Sequence, residues 1–344
     1  MNPLWQLTLA RFREFIREPA AVFWVYVFPL LMVVSLGTAF RNKPIEEITV
    51  DAVRSSRMEP IVAALKEDER FTVTPGTADE CAERLRIGKT DLVIAATDGD
   101  SQFQYSFDPT RPGSVLARNT ADDIVQRASG RVDAATTKDV EISEPGSRYI
   151  DFLVPGMIGM GLMGGGLWGV GFAIVDLRIK KLLKRFVATP MKRSHFLAAI
   201  MISRLVFMLP EVLVICLFAR FAFGVQNYGS WLSVAFLIVL GAIQFAGIGL
   251  LVASRAKTIE TVSGLLNLVM IPMWIASGIF FSTDRFPEFI QPIIKVLPLT
   301  PLISALRQVM QEGASLAEVM PELGIIVGWA VVTFALAMKL FRWK

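Results

Sequence analysis

The sequence predicts an all-α polytopic membrane domain of six transmembrane helices, with an α/β domain inserted outside the membrane. Three observations carry that expectation. Of the 344 residues, 53% are hydrophobic and only 19% are charged, with a mean hydropathy of +0.51, far more apolar than a soluble chain of this length. Six runs reach the roughly 20 mostly apolar residues that a spanning helix needs. A long polar stretch separates the first run from the second.

Residues 1–19 place Trp5, Leu9, Phe12 and Ile16 at helical spacing among charged residues, the pattern of an amphipathic helix lying on the cytoplasmic membrane surface. Residues 20–40 form the first span, whose core is too long and too aromatic (Phe23, Trp24, Tyr26, Phe28) for a signal peptide. Residues 41–148 alternate β-rich and helical runs. Strands are expected at Ile48 to Val53, Phe71 to Thr74, Asp91 to Ala96 and Gln102 to Phe107, and helices near Met58 to Glu69, Ala78 to Ile87 and Val115 to Ala135. Residues 149–344 hold the other spans, near Ile150 to Val175, Phe196 to Ala219, Trp231 to Ala253, Thr261 to Phe281 and Leu323 to Leu340.

Orientation follows from lysine and arginine in the short loops. Arg11, Arg13 and Arg17, the loop with Arg178, Lys180, Lys181, Lys184, Arg185, Lys192 and Arg193, then Arg255, Lys257, Arg342 and Lys344 fall on one side. Both termini are therefore expected in the cytoplasm and residues 41–148 outside it. The net charge of +4 is explained by this topology, and no nucleic-acid partner is expected. Cys81 and Cys216 fall in different segments and are not expected to pair. With His195 the single histidine, neither a His-rich metal cluster nor a catalytic triad is proposed, and the chain is read as no enzyme. Gly88-Lys89-Thr90 could end a phosphate-binding loop, but Glu83 stands where that loop requires its first glycine.

The loop 176–195 mixes basic residues with Leu177, Leu182 and Phe186, and Pro190 stops its helix. It is either a topology signal attracted to anionic lipid or a short helix docking on a cytoplasmic partner. In the second span, Gly161, Gly165 and Gly169 repeat every four residues, the small-residue pattern that lets helices approach closely. Packing is the first reading of that stripe, and flexing during gating the second. The third span carries Arg204 and Glu211, seven residues apart and so nearly on one face, with Pro210 beside them. An ionisable group in the bilayer costs at least about 2.5 kcal/mol and faces protein or water. Arg204 is expected to snorkel to the inner interface. Glu211 is either held by a neighbouring helix or lines the pathway. Pro287, Pro292, Pro298 and Pro301 fall in the loop 282–320, read first as a re-entrant helix–turn–helix capping the pathway like a gate and second as a simple surface amphipathic helix.

The segments LLKRFVATPMKR (Leu182 to Arg193), PMWIASGIFF (Pro272 to Phe281) and FPEFIQPIIKVLPLTP (Phe286 to Pro301) resemble the coupling loop, fifth span and re-entrant outer loop of ATP-binding-cassette type 2 exporter permeases. The order of one span, an outer α/β domain and five further spans is similar to the drug and multidrug efflux branch. One departure is Ile179-Lys180-Lys181, where family members commonly carry an Arg-Glu pair and a Gly-Thr step. The resemblance implies an efflux permease in the bacterial inner membrane, surrounded by membrane lipids and moving an amphipathic drug-like or lipid-like substrate. It implies a dimer with a second permease subunit, identical or paralogous, and a cytoplasmic ATP-binding-cassette ATPase that brings ATP and Mg, with no cofactor bound by this chain. The coupling residues would be Leu177, Arg178, Lys181, Leu182, Lys184, Arg185, Phe186, Thr189 and Pro190. The pathway or gate would use Gly161, Gly165, Gly169, Pro210, Glu211 and Pro298. Two other readings are a membrane-anchored sensor whose outer domain binds a ligand, and an ion-driven secondary transporter. The second expects paired intramembrane carboxylates or an internal repeat.

Overall fold

The computed structural model describes residues 17, 19–40, 47–97, 102–133, 135, 137–138, 148–183 and 193–341, with backbone alone for 20, 21 and 193–198. The amphipathic helix expected over residues 1–19 therefore lies almost wholly outside the described residues. The chain divides into two compact units, Met1–Arg41 with Ser143–Lys344, and Asn42–Ile142.

The smaller unit is a four-stranded sheet in the order β2-β1-β3-β4, formed by β1 (Ile48–Val53), β2 (Phe71–Gly76), β3 (Leu92–Ala96) and β4 (Phe103–Phe107). Strand β1 runs parallel to β2 and β3, and β4 is antiparallel to β3. The first crossover carries α2 (Glu59–Glu67) and the second α3 (Ala78–Arg86). Because the first crossover steps from β1 to β2 and the second steps back over β1 from β2 to β3, right-handed connections put their helices on opposite faces. Val50, Leu92 and Ile94 pack with Ile61 and Leu65 of α2 and with Ala117, Ala121 and Val125 of α4 (Pro112–Ala128). On the other face α3 meets β1 and β3, and Arg84 approaches the buried Asp51 at 2.9 Å. Burial pushes the Asp51 carboxyl up from its ordinary value, and Arg84 opposes that shift.

Gly88-Lys89-Thr90 lies between the end of α3 and β3. That is helix, turn, strand, the reverse of the strand–loop–helix order in which a phosphate loop points its amides at the ligand. The Thr90 hydroxyl is buried and donates to the Thr49 carbonyl at 3.0 Å.

The larger unit is helical. Helix α1 runs Pro19–Val22, passes through a π-helical stretch at Phe23–Val27 and continues over Phe28–Ala39. Helix α5 spans Tyr149–Ile179 with a π-helical stretch at Leu167–Phe172. Then come α6 (Arg193–Phe223), α7 (Trp231–Ala253), α8 (Ile259–Ala276), α9 (Gln291–Val296), α10 (Leu299–Glu312) and α11 (Met320–Leu340). Among the described residues five helices, α5, α6, α7, α8 and α11, are long and apolar enough to cross a membrane, and the apolar part of α1, Phe23–Ala39, is shorter. Many large apolar side chains on α6, α8 and α11 point outward, Leu213, Leu268 and Val331 among them, as they must where the solvent is hydrocarbon.

Helix α5 is the centre of this unit and touches α1, α6, α7 and α10. Its glycines let backbones approach. A Cβ on Gly166 would stand 3.0 Å from the Ala246 nitrogen of α7, and one on Gly249 of α7 would stand 2.6 Å from the Gly166 carbonyl oxygen. In lipid, where burying apolar surface yields no net gain, such contact is a principal source of helix association. A Cβ on Gly164, by contrast, would meet nothing within 4 Å. Gly166→Val should therefore lower the melting temperature of the detergent-purified protein, because overpacking costs about 1–3 kcal/mol. Gly164→Ala should hold or raise it, since a helix-interior glycine costs about 0.5–1 kcal/mol relative to alanine. Equal melting of the two variants would contradict this packing.

Candidate functional site

Midway along α5 and α6 the structure brings together two features that lie apart in the sequence. The stripe Gly161, Gly165, Gly169 faces the α6 residues Glu211, Met208 and Arg204: a Cβ on Gly161 would run into the Glu211 carboxylate, one on Gly165 would stand 2.6 Å from Met208 Cε, and one on Gly169 would run into Arg204. The glycines are the space in which these side chains sit. Arg204 Nε donates to the Gly165 carbonyl at 2.5 Å, so this guanidinium lies across α5 rather than snorkelling to the interface as expected. The reason is local: with no side chains along the stripe, a backbone carbonyl inside the bundle is within reach. Glu211 is 4% exposed.

Pro210 sits within the continuous helix α6 and cannot donate to the Val206 carbonyl. One residue on, the Phe207 carbonyl accepts from the Tyr26 hydroxyl at 3.1 Å. Tyr26 belongs to the π-helical stretch of α1, so α1, α5 and α6 converge here.

At the end of the bundle that carries the basic loop, α5 finishes at Ile179 and Lys181 takes a left-handed φ of 58°. The segment from Leu177 to Arg193 is therefore not one uninterrupted helix. Two of its expected docking residues turn inward. Leu177 is buried in the bundle's own core. Arg178 Nη1 donates to the carbonyls of Ala253, at 2.9 Å, and Ala256, Nη2 donates to Ser254 at 3.3 Å, and the guanidinium lies 5.6 Å from the Phe341 ring centroid. It thus satisfies carbonyls left over at the C-terminus of α7, where a cation also suits the helix dipole. Leu182 packs half-buried against the same core and Lys181 is exposed. Lys184, Arg185, Phe186, Thr189 and Pro190 lie outside the described residues.

At the opposite end, α8 stops at Ala276, five residues short of its expected end, because Gly278 adopts a φ of +81°. The loop 282–320 contains a 3₁₀ turn at Thr283–Arg285, then α9 and α10, and α11 begins at Met320. Helix α10 enters the core through Leu299, Leu302, Ile303 and Leu306. The buried Pro298 begins it, and its carbonyl accepts from Gln244 Nε2 at 2.9 Å. Arg307 Nη2 donates to the carbonyls of Phe152, at 3.1 Å, and Gly278, and its guanidinium stacks 3.5 Å over the Phe152 ring. Arg307 was not among the expected site residues. Nothing local marks it as a clasp, since its partners lie 29 and 155 residues away along the chain.

Residues 19–339 match the family described as ABC-2 family transporter protein. The chain belongs to this family of transporter permeases. It is similar to the linearmycin resistance permease protein LnrN of Bacillus subtilis, at 27% identity over 51% of this chain and 46% of that protein. It is also similar to the inner membrane transport permease YadH of Escherichia coli, at 25% identity over 57% of this chain and 76% of that one. A third relative is nodulation protein J of Rhizobium meliloti, at 30% identity over 34% and 45%. The chain thus spans about half the length of LnrN, and 27% of a Dictyostelium discoideum ABC transporter G family member.

Lysine offers one compact point charge where arginine offers a planar fork of donors, so Arg178→Lys should behave nearer to Arg178→Ala than to the parent. Both variants should melt lower, by the roughly 1.5–3 kcal/mol of a charged hydrogen bond, and should open the 254–258 turn to proteolysis. Unchanged proteolysis would show that the clasp does not hold the turn.

Proposed function

We propose that this chain is the membrane-spanning subunit of an ATP-driven exporter, with α1 as a sixth span, both termini in the cytoplasm and residues 41–148 outside. The observation that carries the reading is the family match, which runs from α1 to the last helix. The 21 residues of Pro19–Ala39 rise about 31 Å as a helix, enough for the hydrocarbon core. Lysine and arginine are in excess in the short loops of one side, the other keeping Arg220, Arg285, Lys295 and Arg307, and the inner surface of the bacterial membrane retains the richer loops.

In this reading the permease acts as a dimer, identical or paralogous, and a cytoplasmic ATPase supplies ATP and Mg. The docking segment is Lys181 to Pro190, since Leu177 and Arg178 are engaged within the bundle. Gly161, Gly165, Gly169, Pro210 and Glu211 border the pathway, and Pro298 sits at the gate formed by α9 and α10. An amphipathic substrate, drug-like or lipid-like, fits the mostly apolar surroundings, and the resistance named for LnrN points the same way.

A cysteine at Ser101 should react with an impermeant thiol reagent applied to intact cells, and one at Ser194 should not. The reverse pattern would invert the topology.

Docking is tested at Phe186. Burying its side chain is worth about 1.5–3 kcal/mol, so Phe186→Ser, with every basic residue kept, should cut copurification with the cognate ATPase and abolish export while leaving insertion unchanged. If the partner stays bound and export is normal, the segment is a topology signal alone.

A further inference from the structure

Glu211 is the carboxyl group of the central site, and Arg204 acts on it only through its field. It is 4% exposed, and it accepts no hydrogen bond and forms no ion pair among the described residues. Within the candidate span Ala199–Phe223 it stands at the middle, about 18 Å of helix rise from either end. Arg204, whose field reaches it, is seven residues away along α6, about 10 Å of rise, and its Nε is bonded to the Gly165 carbonyl. Tyr26 is within electrostatic range of both and offers an aromatic ring, the kind of surface on which a desolvated cation is held. Gly161 has no side chain, and a Cβ there would collide with the carboxylate, so the backbone reserves this space for it. The exposed Leu209 and Leu213 flank Glu211 on the lipid-facing side of α6.

A carboxyl buried at membrane depth either holds a proton or, once ionised, needs a compensating positive charge or hydrogen-bond donor. A lipid headgroup at the interface is too far away to provide one. A cation that takes the proton's place there has to be carried by a molecule that itself enters the hydrocarbon core. We propose that Glu211, seated on Gly161 and beside Tyr26, is the subsite that takes the positive charge of a lipophilic cation. This rests on the transport reading and gives it a substrate class, amphiphiles with a delocalised or quaternary positive charge.

The test uses the full-length permease in phosphatidylcholine nanodiscs without ATPase, so it can fail while export stands, and export can fail while it stands. The probes are tetraphenylphosphonium and tetraphenylborate, alike in shape and opposite in charge. The phosphonium should bind saturably, Glu211→Gln should weaken it at least tenfold and Glu211→Asp by much less, and the borate should be indifferent to both. A second measurement needs no variant. Dicyclohexylcarbodiimide modification of Glu211, followed by mass spectrometry, should be slowed by the phosphonium and not by the borate. Phosphonium affinity unchanged in folded Glu211→Gln, or equal protection by both ions, would overturn the assignment and leave Glu211 as a buried packing group.

Discussion

The membrane unit depends on close approach to α5. Apolar side chains gain nothing by leaving lipid for protein, so a bundle in hydrocarbon holds together by contact, by hydrogen bonds and by shape. Glycine at 166 brings α5 backbone against the backbone of α7 near Phe245 and Ala246. The stripe at 161, 165 and 169 meets the longest side chains of α6 instead of its backbone. One helix thus uses the same residue type in two ways. On one face glycine removes bulk so that two backbones can touch, and on another it removes bulk so that a guanidinium and a carboxylate can enter.

The two ends of the bundle solve a different problem. Backbone groups that leave the helical pattern at membrane depth have no water to turn to. Around Ser277 to Phe281 the Gly278 carbonyl accepts from Arg307 and the Phe280 carbonyl from Tyr149, at 3.0 Å. The Pro298 carbonyl takes Gln244, and the Phe223 carbonyl at the end of α6 takes Arg148, at 2.8 Å. At the other end Arg178 gathers three carbonyls of the turn after α7. Arginine recurs because its planar fork reaches several carbonyls without rearranging.

Most of the helices and strands were legible from the chain itself. Strand β1 occupies Ile48–Val53, the run that its alternation and β-branched residues mark out, and α7 occupies Trp231–Ala253, because an unbroken apolar run of that length has few other uses. Helix ends were less legible. The last turn of the expected fifth span is lost to a left-handed glycine whose carbonyl is held from α10, a contact across 29 residues. The direction of charged side chains was not legible at all. Snorkelling is the expectation for an arginine near the end of an isolated span, yet Arg204 finds the Gly165 carbonyl because α5 lacks side chains there. Leu177 and Arg178 carry the composition of a docking surface and still face inward, since composition does not say which side of a helix its neighbours occupy.

The central site and the basic-loop end are joined by one helix. Gly161 faces Glu211, Gly165 bonds Arg204, and further along the same α5 Arg178 grips the end of α7 before the chain enters the basic loop. Between them lies the π-helical stretch Leu167–Phe172, where Trp168 Nε1 points at Met270 Sδ of α8, 3.0 Å away. A π turn carries an extra residue, and converting it to α-helix turns everything beyond it by about 100°, one residue's share of a 3.6-residue turn. Such a rotation would lift Arg178 from its carbonyls or move the glycine stripe under Arg204 and Glu211. The π-helical stretch thus lies on the one helix that carries both the glycines facing the buried carboxylate and the arginine at the turn from which the basic loop departs.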